Sequence, residues 1–72
     1  MTKAERRREQ RERLSAAERE LSGLRDSLES AYSVFNNTAD PELLEASILE
    51  IRALQSRYGC ALRSLKAMCR EN

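Results

Sequence analysis

The chain has 72 residues, of which 35% are charged and only three are aromatic, with a net charge of +1. That is enough for one small domain and excludes a large enclosed core. With two cysteines and no histidine, the ordinary zinc signatures are excluded too.

The opening stretch MTKAERRREQRER, residues 1–13, holds six basic and three acidic residues. It reads as a basic arm, either helical or frayed. Arg6, Arg7, Arg8, Arg11 and Arg13 are the residues that would meet phosphates if nucleic acid were a partner. Glutamates are interleaved with them, and the arm has no aromatic to stack on bases, so a solvated helix is the favoured reading. No apolar stretch follows the arginines, so neither an export signal nor a membrane span is expected, and the expected setting is cytoplasmic.

From Leu14 onward, Leu14, Ala17, Leu21, Leu24, Leu28, Ala31 and Phe35 recur at alternating spacings of three and four. This is the a/d pattern of a helix with one packed seam. The helix is expected to run to about residue 35.

FNNTADPELLE then breaks the pattern. Asparagine tolerates the left-handed conformation that often ends a helix, so Asn36 and Asn37 are expected to close the first one. Asp40 precedes a proline and is expected to cap a new helix, with Pro41 at its first position. Glu42 and Glu45 place negative charge near the positive end of that helix. The connection, residues 36–40, has the length of a turn between antiparallel neighbours.

The second helix is expected over 41–70. Leu44, Ile51, Leu54, Tyr58, Ala61, Leu65 and Met68 continue the a/d rule, with Ser47 off pattern. Ile48, Leu62 and Cys69 add a neighbouring column, so this helix has the broader apolar face. Folding at residue 38 sets Leu24 near Ile51, Leu28 near Ile48, and Ala17 against Tyr58. Residues 14–70 therefore read as an all-α, antiparallel two-helix hairpin.

The hairpin leaves a shortfall. Before Leu14 the core positions of the first helix hold Gln10 and Arg7, while the second helix carries on through Leu65 and Met68. Small domains bury too little surface to offset conformational entropy alone. A second copy is the economical remedy, giving a homodimeric four-helix bundle. The expected interface takes Leu21, Leu24 and Leu28 from the first helix. From the second it takes Ile48, Ile51, Leu54, Tyr58, Leu62, Leu65 and Met68.

Cys60 and Cys69 lie nine positions apart, on nearly opposite faces of one helix, too far apart for a disulfide. Two free thiols are expected. Gly23 and Gly59 fall inside helices but off the seam, and read as tolerated surface glycines. There is no histidine base and no Glu-x-x-His motif, so neither catalysis nor a cofactor is expected.

The segment AYSVFNNTADPELLEASILEIRALQSRY, followed by LRSLK, resembles the YaaL-like family of short bacterial proteins, a domain of unknown function. Four features carry the resemblance: the aromatics Tyr32 and Phe35, the asparagine turn, Asp40-Pro41-x-Leu43, and Ala53-x-x-x-Arg57-Tyr58. It covers about half the chain and implies a small helical protein in a bacterial cytoplasm, with no reaction attached. The expected role is a protein-interaction module with an unknown protein partner.

Overall fold

The computed structural model describes residues 2–71. Helix α1 spans Lys3–Asn37 and helix α2 spans Pro41–Glu71, joined by residues 38–40. The two helices pack against each other along a rod of 57 × 15 × 14 Å.

Thr2 starts α1. Its hydroxyl accepts from the Glu5 amide at 3.1 Å and its carbonyl from the Arg6 amide at 3.1 Å. The first bond satisfies an orphan donor of the opening turn and the second is the helix's first i→i−4 bond, while Glu5 adds negative charge where the dipole favours it. The basic arm is therefore helical and continuous with α1; Met1, its first residue, lies outside the described residues.

The corner differs from expectation at the asparagines. No non-glycine residue among those described takes a positive φ, and Asn36 and Asn37 remain helical. The reason is local. Asn37 Nδ2 donates to the Ser33 carbonyl at 2.7 Å, so its side chain bonds back one turn along the helix instead of favouring a left-handed cap. The helix thus runs two residues past Phe35, and Thr38 leaves it in an extended conformation, φ −111° and ψ 146°.

Asp40 does act as the cap of α2. Its carboxylate accepts from the Glu42 amide at 3.0 Å and its carbonyl from the Leu44 amide at 2.9 Å. Thr38 Oγ1 accepts from the Asp40 amide at 3.2 Å, which ties the three-residue turn to itself.

The longer α1 and shorter turn shift the register. Ala31, Ile51 and Leu54 form the buried cluster, with Leu24 and Leu28 packed on it. Ile48, expected against Leu28, is 40% exposed, and Ala17 shares a groove with Ala61 and Ser64, roughly one turn beyond Tyr58. The core is thin. Its apolar members are Leu21, Ala31, Ile51, Leu54 and Ala61, and no described side chain is fully enclosed.

Candidate interaction surface

The expected interface residues fall into three groups. Leu21, Ile51 and Leu54 are buried inside the single hairpin, so they hold its own two helices together. Leu24, Leu28, Tyr58, Leu62, Leu65 and Met68 are half-buried along the edges of the seam. Ile48 alone is exposed. The seam is thus mostly consumed within one chain, and what remains for a partner is its rim.

One flank of that rim is fastened by two hydrogen bonds between the helices. Gln55 Nε2 donates to the Tyr32 hydroxyl at 2.9 Å, and Arg25 Nη2 to the Tyr58 hydroxyl at 3.3 Å. The bond to Tyr58, with the electrostatic attraction of that hydroxyl second, raises the Arg25 pKa above its ordinary value, so the guanidinium stays charged. Ile48 lies seven residues before Gln55, two turns along the same face, and so joins this flank beside Tyr32.

Elsewhere along the seam is an open groove of about 480 Å³, bounded by Ala17 and Glu20 on α1 and by Arg57, Ala61 and Met68 on α2. Cys60 borders it, an exposed free thiol with Arg63 Nη2 3.4 Å from its sulfur. The second thiol, Cys69, is also free and exposed. Among the described residues no group of three or more histidines, cysteines and carboxylates could hold a metal ion. No helix among them is long and apolar enough to cross a membrane.

Among the described residues, Tyr32, Val34, Phe35, Leu43, Ile48 and Leu49 are the exposed large apolar ones, and all sit in the corner half of the rod. Sequence reasoning passed over Val34, Leu43 and Leu49 as surface candidates. Their signal was present: each is apolar at a heptad position where a two-helix seam has no use for it.

Charge divides the rod as well. Residues 22–56, the corner half, hold two basic and six acidic residues, net −4; the remaining residues, the open half, hold eleven basic and six acidic, net +5. Arg6, Arg7, Arg8, Arg11 and Arg13 are all exposed in the open half. Arg8, Arg11 and Arg19 share a shallow hollow with Glu12, so the anion-attracting field there is diluted by a carboxylate.

Total exposure is the most informative quantity. The chain exposes 5782 Å², whereas a compact monomer of its mass exposes about 4,600 Å². Its radius of gyration of 16.8 Å compares with about 11 Å for a globular chain of this length. The surplus of roughly 1,200 Å² exceeds the roughly 800 Å² that each partner buries in a standard protein interface.

Comparison of the chain with protein-family models, with curated proteins and with solved structures finds no match in any of the three. The resemblance at the corner therefore rests on the residues quoted for it.

Proposed function

We propose that the chain is a self-associating interaction module: two hairpins pair into a four-helix bundle whose outer faces hold a protein partner. The observation that carries this reading is the surplus of exposed surface over a compact monomer, with six large apolar side chains exposed in the corner half. A core of five thinly covered apolar residues is a weak basis for independent stability, and a second copy adds core without a metal or disulfide. The YaaL-like resemblance belongs to the same proposal, with its bacterial cytoplasmic setting. The proposal assigns the chain no catalytic role.

The test is the mass of the purified chain by sedimentation equilibrium across a dilution series. The expected result is about twice the 8.3 kDa of one chain, with helicity lost on dilution as the pair separates. A compact single copy that melts cooperatively overturns the proposal.

The exposed arginine helix supports a second reading, an accessory factor that contacts DNA or RNA through Arg6, Arg7, Arg8, Arg11 and Arg13. The interleaved Glu5, Glu9 and Glu12 are why it stands second.

A further inference from the structure

The two ends of the rod differ in three independent ways. The corner half is net −4 and the open half net +5. Among the described residues, the exposed large apolar side chains all belong to the corner half. In the open half α2 continues its half-buried stripe through Leu62, Leu65 and Met68, while the facing part of α1 offers Arg7, Gln10 and Arg11 around Leu14. One half has apolar side chains to cover; the other has an apolar stripe short of cover.

From this asymmetry we propose that the partner on the apolar rim is a second copy of this chain running in the reverse direction, its corner half laid over the open half of the first. The inference rests on the self-association proposed above and specifies its orientation. Two rods in contact are separated by about a helix diameter, close to the Debye length of physiological salt, so their net charges act on each other. Side by side in the same direction, −4 would face −4 and +5 would face +5. Reversed, −4 faces +5 twice, and repulsion at both ends becomes attraction. The apolar terms point the same way. Tyr32 and Ile48 of one copy then come to the level of Leu62, Leu65 and Met68 of the other. The arrangement is closed and twofold, so it ends at a dimer.

Cys69 makes the orientation measurable. It lies thirteen residues beyond the midpoint of α2, about 20 Å along the axis, and its thiol is free and exposed. In the reversed pair the two Cys69 residues sit at opposite ends, about 40 Å apart. In a same-direction pair they sit on neighbouring helices, about 10–15 Å apart. The experiment uses the full chain carrying Cys60→Ser, with a nitroxide on Cys69 and the spin–spin distance read by pulsed dipolar spectroscopy. A distance near 40 Å is expected. A short distance overturns the reversed orientation and leaves self-association standing, whereas a monomeric mass with no dipolar signal overturns self-association itself. Salt gives an independent readout on the unlabelled chain. The dissociation constant of the reversed pair is expected to rise several-fold between about 0.05 and 0.5 M sodium chloride as the attraction is screened. Tightening with salt is the signature of like ends together and overturns the proposal.

Discussion

Gln55 on α2 donates to the Tyr32 hydroxyl on α1 at 2.9 Å, and Ile48, one heptad before Gln55 on the same face of α2, stays 40% exposed. The hairpin therefore closes its flank with a polar clip and leaves an apolar residue outside it. Ile48→Ser should leave the packing inside one hairpin almost intact, because Ile48 is 40% exposed and stands outside the buried cluster. It should weaken self-association by about 1 kcal/mol or more per copy, roughly tenfold or more in the dissociation constant. Unchanged association in a dilution series would remove this flank from the interface.

Leu54 is the contrasting case. It is 7% exposed and belongs to the cluster with Ala31 and Ile51, so Leu54→Asp places an unpaired charge inside the single hairpin. Loss of about 3 kcal/mol or more is expected, which a core this thin cannot absorb. Helical ellipticity and dimer mass should fall even at high protein concentration, where Ile48→Ser keeps both. If both survive, the seam has been assigned to the wrong residues.

The corner depends on one carboxylate. Asp40→Ala removes the acceptor for the Glu42 amide and should cost about 1 kcal/mol, while Asp40→Asn, which keeps an oxygen there, should cost much less. Chemical denaturation of the two variants side by side checks this. Equal stabilities would mean that Pro41 and the Thr38 turn hold the corner without the cap.

The hairpin was legible because its signals are local and strong: Asp40-Pro41 opens a helix by steric necessity, and the leucine spacing fixes which faces meet. The register was less legible, because it depends on where α1 stops. Asn37, expected to close the helix, instead stays helical with its side chain bonded back to Ser33, a choice that asparagine propensity alone misjudges. Ser47 shows a second limit. It is the most buried residue noted in the chain, at 3% exposure, in a seam position where the pattern calls for an apolar side chain. Its hydroxyl donates to the Leu43 carbonyl one turn back at 2.8 Å, so a polar residue enters the core already satisfied. The candidate surface was legible only in part. The rim residues follow the heptad, but Val34, Leu43 and Leu49 lie off it, and periodicity searched for one seam passes over a second apolar face.

The arginine helix makes a separate prediction about nucleic acid. If Arg6, Arg7, Arg8, Arg11 and Arg13 contact phosphates, binding to duplex or single strands should fall with salt at a log–log slope of about −0.9 per phosphate for duplex DNA. Replacing all five by glutamine should abolish that binding; because it also takes the open half from +5 to 0, it should raise the dissociation constant of the reversed pair as well. Absence of measurable binding by the native chain at low salt would eliminate the nucleic-acid reading.

Gly23 separates a spectator position from a contact position. A Cβ built there meets nothing within 4 Å, and the residue has an ordinary helical backbone, so Gly23→Ala removes only the conformational freedom of glycine. The expected gain is about 1 kcal/mol, or roughly 4–8 °C in thermal midpoint for a domain of this size, with association unchanged. At Gly59 the added carbon would lie 3.4 Å from the tip of the Arg63 side chain, which can move aside, so a gain of the same sign but smaller is expected. A dimer that weakens on Gly23→Ala would mean that the partner's helix passes directly over this position. The interface would then lie on the outer face of α1 rather than along the rim that α1 shares with α2.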